Sequence, residues 1–359
     1  MNIVFLTPYP LKHSPSQRFR FEQYSEALRV KGVQTICHPF FSERFWNILY
    51  STDKFFYTSL GVLIGFAKRF LLLFVIWRYD FVFLHREASP IGPPIFEWII
   101  AKVYKKKIVY DFDDSIWNTD LDHSQKLKIW LRNPSKTRKI IQWSWKISCG
   151  NEYLCNYARQ YNKNVVLNPT TIDTVNLHSK IKQQQTNRVV IGWTGSHSTL
   201  KYINVLLPVL RRLEKEFEFD FLVICNKKPD LKLRSLKFLH WSEKSEIDDL
   251  LKINIGVMPL PDDEWSKGKC GFKALQYMAL GMPALVSPVG VNSEIVNDGE
   301  NGFICYENSD WEKYIRMLLL DSELRTSLGL KARQTVVDRY SVVSNVTNFV
   351  ALFECKSDE

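Results

Sequence analysis

The 359-residue sequence has few cysteines and no cysteine pair with the spacing of a metal or redox motif. Its seven cysteines form an odd, scattered set: Cys37, Cys149, Cys155, Cys225, Cys270, Cys305 and Cys355. This pattern argues against a disulfide framework and against a zinc site. It is typical of reduced thiols in a cytosolic protein.

The sequence also lacks an apolar run long enough for a transmembrane helix. Its most apolar segment, residues 55–77, is interrupted by Lys68 and Arg69, whereas a spanning helix needs about 20 apolar residues. Residues 1–10 have no basic start and contain two prolines, so they predict a first strand rather than a signal peptide. Two interpretations of residues 55–77 stay open: a helix packed on a sheet, and a helix lying in a membrane interface.

Two phosphate-binding motifs are absent from the glycine-containing loops of the second half. Neither G-x-x-x-x-G-K-[ST] nor G-x-G-x-x-G occurs there, which weighs against a P-loop enzyme and against a dinucleotide enzyme. No aromatic–basic motif of a known nucleic-acid-binding module is found either. We therefore expect no nucleic-acid partner.

The composition is sufficient for two globular domains. The sequence is 45% hydrophobic and 24% charged, and it is longer than one ordinary core requires. The net charge of +10 is unevenly spread, because residues 1–170 hold 24 Lys and Arg against 13 Asp and Glu, while the remainder holds 24 against 25. A basic first half predicts an acidic partner there, such as anionic lipid, nucleic acid or a phosphorylated substrate.

Short apolar strands alternate with helical segments along the whole chain, which predicts an α/β fold with parallel, doubly wound sheets. A polar, glutamine-rich stretch over residues 173–187 is the best linker candidate. We therefore expect a Rossmann-like domain over residues 1–172 and a second one over residues 188–340. A last helix over residues 341–359 is a candidate for packing back across the linker.

Charged side chains follow the predicted strands of the first half. Arg18 and Arg20 lie in a helix expected from Ser16 to about Lys31, and Arg86 follows a strand ending at His85. The carboxyl ends of parallel strands line the ligand crevice of such folds. The three arginines are therefore candidates for phosphate or acceptor binding, and solvated arginines on a helix face are an equally good interpretation of the first two.

Three aspartates follow the next strand, at positions Asp111, Asp113 and Asp114. The D-x-D spacing of the first two fits a divalent cation held by carboxylate oxygens. It fits equally the N-cap and first turn of a helix. We expect no metal here.

Three loops of the second half each open a helix, at what should be one edge of a sheet. They are residues 195–199 followed by Lys201, residues 267–273 within KGKCGFKALQYMALGMP, and residues 290–294. Glycines, helix N-termini and lysines together suit a diphosphate. The candidate donor-binding residues are Gly195, Ser196, His197, Lys269, Gly271, Phe272, Gln276, Asn292 and Glu294.

The order of these motifs resembles the glycosyltransferases of family 4, which have the GT-B fold. The resemblance rests on VVIGWTGSHSTLKYI (189–203), on the stretch from IGVMPLP to DGENGF (255–303), and on HREASPIGPPIFEWIIAKVYKKKIVYDFDDSIW (85–117). It covers nearly the whole chain. It implies two Rossmann-like domains facing across a cleft and retaining transfer of a sugar from a UDP- or GDP-linked donor, without a required metal.

The sequence departs from this family's pattern around the donor. Many members have two glutamates around the donor sugar and ribose, and these positions fall on Gly268 and Gln276. The family's arginine and lysine on the diphosphate correspond to Ser196 or His197 and to Lys201. Lys269 and Lys273 are candidates to replace the missing positive charge.

A further departure lies in the first half, where the family's histidine–aspartate pair corresponds to Tyr110 and Asp111. We expect Lys201 and Lys273 to stabilise the leaving group, and one of the three aspartates Asp111, Asp113 and Asp114 to orient the acceptor hydroxyl, with Asp111 the catalytic candidate. The candidate acceptor-binding residues are Arg18, Arg20, Arg86, Asp113 and Asp114.

The resemblance thus predicts a hexosyltransferase that acts on a glycan or lipid-linked acceptor in cell-envelope polysaccharide or glycoconjugate synthesis. The basic first half and residues 55–77 predict a cytoplasmic protein in peripheral contact with the anionic inner face of the membrane. Two alternatives stay open: a nucleotide-sugar epimerase of the same two-domain shape, and a non-catalytic basic binding protein.

Overall fold

The structure is a computed structural model that describes residues 1–49, 55–118 and 133–354. Its contacts divide the chain into two units. The first unit holds residues 1–169 and the described residues from Val346 onward, and the second holds residues 170–345. Cys355 and the end of the last predicted helix, residues 355–359, lie outside the described residues.

The first unit contains a six-stranded parallel sheet in the order β2-β1-β3-β4-β5-β6. The strands are β1 Asn2–Thr7, β2 Gln34–Pro39, β3 Phe81–His85, β4 Lys107–Phe112, β5 Lys146–Cys149 and β6 Val165–Leu167. The order reverses between β1 and β3. Ligands of open α/β sheets bind at such a reversal, beyond the carboxyl ends of the strands.

The second unit contains another six-stranded parallel sheet, in the order β12-β11-β10-β7-β8-β9. Its strands are β7 Val189–Gly195, β8 Phe219–Cys225, β9 Leu236–His240, β10 Ile255–Met258, β11 Ala284–Val286 and β12 Gly302–Ile304. The reversal lies between β7 and β10, which is the doubly wound order of a Rossmann fold. The prediction of two Rossmann-like α/β domains is therefore confirmed.

Helices connect these strands in both units. Among the described residues of the first unit, the α-helices are Pro15–Arg18, Ser25–Val30, Glu43–Leu49, Phe55–Leu73, Ile95–Trp98, Lys136–Trp143 and Glu152–Arg159. Those of the second unit are Leu207–Leu213, Glu246–Leu250, Glu264–Lys267, Phe272–Ala279, Asn292–Ile295, Asn308–Leu320 and Ser322–Thr335. Short 3-10 or π segments cover Glu22–Tyr24, Ile76–Arg78, Ile99–Val103, His197–Val205 and Val336–Tyr340.

The last helix, Val342–Ala351, spans the division between the units, and its second half belongs to the first unit. There Phe349 stacks on Tyr24 with ring centroids 4.2 Å apart, and it also contacts Phe83. Residues 173–187 lie within the second unit without helix or strand, and Gln184 among them is buried.

The continuous helix expected from Ser16 to Lys31 is wrong. The chain forms Pro15–Arg18, a 3-10 turn at Glu22–Tyr24, and Ser25–Val30. The break lets Phe19, Phe21 and Tyr24 all enter the core, although they do not share one helical face. It also places Arg20 inside the unit rather than on its surface.

The helix Phe55–Leu73 packs on the first unit through one face. A Cβ added at Gly65 would collide with the Phe40 ring, so the small residue permits close approach. The opposite face is exposed, with Leu63, Phe70 and Leu71 at 66%, 58% and 65% exposure. The sheet-packed interpretation is thus confirmed for one face, and the other face is unpartnered within the described chain.

Among the residues that the structure describes, no helix combines the length and the apolar character needed to cross a bilayer.

Arg69 is the buried member of the basic pair in this helix, at 1% exposure. Its guanidinium donates hydrogen bonds to the carbonyl oxygens of Ala88, His38 and Thr7 at 2.7–2.9 Å. Burial lowers the pKa of Arg69 to about 10. Arg69 therefore joins three segments of the first unit and is not available to a membrane surface, whereas Lys68 is exposed.

We predict that Arg69→Met lowers the free energy of unfolding by about 2–4 kcal/mol, because three buried carbonyl groups lose a donor. The matched variant Lys68→Met, one residue earlier on the exposed face, should stay within about 0.5 kcal/mol of wild type. Urea denaturation followed by circular dichroism measures both. Equal losses in the two variants would contradict the structural role of Arg69.

Candidate active site

The second unit presents its loops at the carboxyl ends of β7 and β10, where the strand order reverses. The Tyr277 hydroxyl accepts a hydrogen bond from the Thr194 backbone N–H at 2.9 Å. A Cβ at Gly256 would collide with the Tyr277 ring, so this glycine lets the helix Phe272–Ala279 lie directly on β10. These contacts fix the helix beside the loop that follows β7.

The loop of residues 195–199 is closed by its own hydrogen bonds. The Ser196 carbonyl accepts from both the backbone N–H and the hydroxyl of Thr199, each at 3.0 Å. The His197 backbone N–H donates to Asn226 Oδ1 at 2.8 Å, which joins the loop to the end of β8. A 3-10 segment, His197–Val205, follows rather than a regular α-helix. The exposed side chains of Ser196 and His197 are thus held on an ordered turn.

Lys273 extends across the ends of β7 and β8. Its Cε would lie 2.9 Å from a Cβ at Gly195, and its Nζ is 5.6 Å from the centroid of the Trp193 ring. Burial raises the pKa of the Cys225 thiol, and the charge of Lys273 acts in the opposite direction, which places that charge near the end of β8. Glycine at 195 therefore makes room for the lysine side chain.

Lys201 and Lys269 lie on neighbouring segments. Lys201 is exposed on the 3-10 segment, with Nζ 5.5 Å from the Tyr202 ring centroid. Lys269 is half-buried, and its Nζ lies 4.8 Å from the Trp265 ring centroid. Lys201 and Lys273 thus border the loop of residues 195–199, while Lys269 lies just after the short helix Glu264–Lys267.

The second and third predicted loops pack against each other through glycines. Gly271 is the N-cap of Phe272–Ala279 with φ +68°, and a Cβ there would collide with Ile295 Cδ1. Gly290 has φ +60°, and its added Cβ would lie 2.8 Å from the Lys267 carbonyl oxygen. The structure therefore brings these two loops together at one edge, with the half-buried Phe272 beginning the helix.

Asn292 and Glu294 differ in placement. The Asn292 side chain is 1% exposed and donates to the Ser287 carbonyl at 3.1 Å, while its Oδ1 is buried without a partner in the described chain. Glu294 is exposed. Asn292 therefore shapes the turn after β11, and donor binding by either residue stays a prediction.

Gln276 is buried beside a carboxylate that the sequence did not indicate. Its Nε2 donates to Glu246 Oε1 at 3.4 Å, and the Trp241 indole donates to the same oxygen at 3.3 Å. Glu246 begins the helix that follows β9 and is 5% exposed. Glu246 lies six residues after the end of β9, and only the fold brings it to Gln276.

In the first unit, Asp111 is the centre of a fully buried polar cluster. It pairs with Arg20 through two hydrogen bonds, contacts His85 Nδ1 at 2.9 Å through Oδ2, and accepts from Ser148 Oγ at 2.6 Å. Burial alone would raise the pKa of the Asp111 carboxyl, but the Arg20 guanidinium and the hydrogen bond from His85 hold that pKa well below its usual range.

His85 is the functional candidate that sequence reasoning missed. Parallel pairing of β3 with β4 sets His85 opposite Asp111, so the two form a histidine–aspartate pair across strands although residue 110 is tyrosine. The Nε2 of His85 lies 3.3 Å from Ser16 Oγ, and Ser16 is half-buried. The sequence shows a polar residue near the end of each of two predicted strands. Only the strand register shows that these two residues lie opposite each other.

Arg86 follows β3 with φ +60°, an uncommon conformation for a residue other than glycine. Its guanidinium contacts Asp113 at 2.6–2.9 Å and Asp114 at 2.7 Å, and its carbonyl accepts from the Tyr110 hydroxyl at 2.8 Å. Burial would lower the pKa of Arg86, but the two aspartates hold it above its ordinary value. Arg86 therefore combines a left-handed backbone conformation with ion pairs to both Asp113 and Asp114.

The interpretation of Arg18 and Arg20 as solvated residues on a helix face is wrong, because they are only 9% and 1% exposed. Arg18 lies with its guanidinium 5.0 Å from the Phe19 ring centroid. Arg20 also donates to the Asn168 carbonyl at the end of the unit. Within the described ranges, no three His, Cys, Asp or Glu side chains are grouped as a metal site would require.

Gly271→Ala should destabilise the protein by about 2–5 kcal/mol, because it adds about 1–2 kcal/mol of left-handed backbone strain to about 1–3 kcal/mol of steric overlap with Ile295. Gly299→Ala is the matched control, since Gly299 has φ +75° and no atom within 4 Å of its added Cβ. Thermal and urea unfolding compare the two, and equal losses would exclude the steric contribution.

Residues 176–335 match the family described as glycosyl transferases group 1, a span that contains all three glycine-containing loops. No curated protein sequence matches the chain significantly.

Three solved structures illustrate the likeness of the whole chain. Sucrose-phosphate synthase from Thermosynechococcus elongatus has a TM-score of 0.71 at 13% identity, over 98% of each chain. A glycosyltransferase from Rickettsia africae has a TM-score of 0.69 at 13% identity, over 98% of this chain and 97% of that one. Anabaena HepE, in complex with UDP and glucose, has a TM-score of 0.65 at 13% identity, over 98% of each chain. The chain therefore has the fold of GT-B glycosyltransferases, and its second unit matches the glycosyl transferases group 1 family.

Proposed function

We propose that this protein is a retaining glycosyltransferase of family 4 that moves a hexose from a UDP- or GDP-linked donor to a hydroxyl of a glycan or lipid-linked acceptor. The observation that carries the proposal is the match of residues 176–335 to glycosyl transferases group 1. In support of it, Lys273 and the glycine-containing loops within that span lie at the carboxyl edge of β7 and β10, where Rossmann folds bind nucleotides.

In this proposal the second unit binds the donor. The ordered backbone of residues 195–199 and the helix beginning after Gly271 approach the diphosphate, and Lys201 and Lys273 place positive charge beside it. Gln276 and Glu246 are suited to sugar or ribose hydroxyls, since an amide and a carboxylate both accept hydrogen bonds. Lys269, whose Nζ lies over the Trp265 ring, belongs to the loop of residues 267–273.

The proposed chemistry is dominated by leaving-group stabilisation. The bond between the anomeric carbon and the diphosphate oxygen breaks, and a bond from that carbon to the acceptor oxygen forms on the same face. The proton of the acceptor hydroxyl passes to the departing phosphate. Fixed positive charge stabilises the developing negative charge without reorganisation, so Lys201 and Lys273 supply this in place of a metal.

The first unit is proposed to bind the acceptor. Because Asp111 is fully enclosed by Arg20, His85 and Ser148, we assign it a positioning role rather than direct contact with substrate. It fixes the orientation of His85, which in turn contacts the hydroxyl of Ser16. Arg20 has a positioning role as well, because it pairs with Asp111.

We further propose that the protein works at the inner face of the cytoplasmic membrane in cell-envelope polysaccharide or glycoconjugate synthesis. Exposed apolar side chains lie at the amino end of β3, including Phe74 and Trp77 at 61% each. Lys106 donates to the carbonyls of Trp77 and Tyr79, so the lysine-rich turn before β4 adjoins them. Aromatic and basic groups side by side suit an anionic lipid surface.

Lys273→Ala should reduce kcat by about 100-fold, the usual loss when one preorganised charge on a leaving group is removed. Lys201→Ala should reduce it by at least about tenfold for the same reason. Lys313→Ala is the control, because this lysine also lies against an aromatic ring, 4.9 Å from the Tyr314 centroid, but on the helix Asn308–Leu320.

The measurement is release of UDP or GDP from nucleotide sugars together with mass spectrometry of the sugar product. Donor incubated without acceptor distinguishes an epimerase, which would convert the sugar alone. Turnover near wild type in both Lys201→Ala and Lys273→Ala would place the site elsewhere.

Sedimentation with vesicles containing phosphatidylglycerol tests the membrane surface. Lys102→Gln with Lys105→Gln should weaken binding by about 1 kcal/mol per charge and reduce its salt dependence. Phe74→Ser with Trp77→Ser should weaken binding at all salt concentrations, because buried apolar area is lost. Matched variants of the second unit, Lys313→Gln and Leu320→Ser, should bind as wild type, and equal losses in all four would refute a specific surface.

A further inference from the structure

We infer that the Ser16 hydroxyl binds a hydroxyl of a saccharide acceptor, and that His85 positions Ser16 for this contact. This role rests on the proposed glycosyl transfer and extends it, because it names a group of the first unit that contacts the acceptor. Ser16 is not among the acceptor-binding candidates that the sequence indicates. Its link to Asp111 passes through His85, which only the strand register places there.

Ser16 and His85 lie where the strand order of the first sheet reverses. Ser16 belongs to Pro15–Arg18, the first helix after β1, and His85 is the last residue of β3. β1 and β3 are parallel neighbours, with Leu6 paired to Leu84. Ligands of open α/β sheets bind beyond the carboxyl ends of the strands at such a reversal. The fold therefore places Ser16 and His85 at a position suited to a ligand.

His85 is too enclosed to contact a substrate directly, because it is 0% exposed. Within the described chain, its Nδ1 lies 2.9 Å from Asp111 Oδ2 and its Nε2 lies 3.3 Å from Ser16 Oγ. Asp111 is fully buried, and so is Ser148, the other hydroxyl of this cluster. Ser16 is half-buried. It is therefore the member of the cluster through which the imidazole can act on a ligand.

The Ser16 hydroxyl has capacity for one more hydrogen bond, since a serine hydroxyl donates once and accepts twice. Among the described residues, Ser16 Oγ contacts Ser14 Oγ at 2.9 Å and His85 Nε2 at 3.3 Å. A sugar hydroxyl fits the remaining position whichever way these two contacts are directed, because it both donates and accepts. A carboxylate or a phosphate dianion only accepts, so it fits one of the two directions. The site thus suits a saccharide hydroxyl.

Ser16 is held on an ordered turn before any ligand binds. The Ser14 carbonyl accepts from the Gln17 backbone N–H at 3.0 Å. Gln17 is fully buried, and its side-chain amide exchanges two hydrogen bonds with the Tyr9 backbone, at 3.0 and 3.1 Å. Ordering a mobile group costs free energy when a ligand binds. Because this turn is already fixed, that cost is small for a contact at Ser16.

The test uses the full chain with UDP-glucose, UDP-galactose, UDP-N-acetylglucosamine and GDP-mannose as donors. The acceptors are the octyl glycosides of glucose, galactose, mannose and N-acetylglucosamine, each with its monodeoxy forms. Mass spectrometry measures the product, and thermal shift measures donor binding separately. Ser16→Ala should raise KM for the acceptor by about tenfold, because one hydrogen bond is lost. Its kcat should stay within about twofold, since the contact holds ground state and transition state alike.

The monodeoxy acceptors locate the contact. With the wild-type protein, the form that lacks the contacted hydroxyl should react with a kcat/KM about tenfold lower than its parent glycoside. With Ser16→Ala, the two should react equally, because the same hydrogen bond has already been removed. A Ser16 that merely stabilised the turn would instead give additive losses at every deoxy position.

Two further variants separate contact from positioning. Ser16→Thr keeps the hydroxyl and should restore most of the acceptor affinity. His85→Asn keeps an amide donor for Asp111 but lacks the ring nitrogen that reaches Ser16. It should raise the acceptor KM, and combining it with Ser16→Ala should raise KM no further. Ser25→Ala is the matched control, because Ser25 is an exposed serine of the first unit, and it should leave the acceptor KM unchanged.

The outcomes distinguish this role from the proposed function. An acceptor KM that Ser16→Ala leaves unchanged, or additive losses at every deoxy position, would overturn the contact. Donor binding without transfer to any of the glycosides would overturn a saccharide hydroxyl as the partner of Ser16 and leave the donor site standing. Absence of donor binding for all four nucleotide sugars would instead overturn the proposed function.

Discussion

The first unit depends on the buried pairing of Arg20 with Asp111. Removing two charges from water is costly, and such a pair persists only when its remaining hydrogen-bonding groups are satisfied. Here His85, Ser148 and the Asn168 carbonyl provide those partners. The cluster therefore links β3, β4, β5 and the chain after β6. It also orients the His85 ring, whose Nε2 faces Ser16 Oγ.

The second unit depends on close approach of neighbouring groups at the carboxyl ends of its strands. Gly256 admits Tyr277, Gly195 admits Lys273, and Gly271 turns the chain against Ile295. Each glycine leaves space where another group lies, and at Gly195 that group is the Lys273 side chain, which thereby reaches the end of β7. Rigid placement of this kind allows a site to stabilise charge that develops during reaction.

Much of the fold was predictable from the sequence, because parallel strands between helices give apolar runs such as Phe81–His85 and Phe219–Cys225 that periodicity identifies. The loops of the second half were predictable from glycine and lysine in short intervals. The His85–Asp111 pair and the Gln276–Glu246 contact were not predictable from the sequence. The first joins residues 26 positions apart through strand register, and the second joins residues 30 positions apart through helix packing. The broken first helix was missed because burial of Arg20 overrides a continuous helical pattern.

Net charge alone gave an incomplete description of the first unit. An excess of +11 over residues 1–170 suggests a phosphate in the crevice, yet several of these cations already have partners within the first unit. Arg20 and Arg69 are internal cross-links, Arg86 serves two carboxylates, and the lysines before β4 lie at the opposite edge beside exposed aromatic side chains. A charge contributes to recognition only where it is not already neutralised, so composition alone does not predict the sign of the charge at the strand ends.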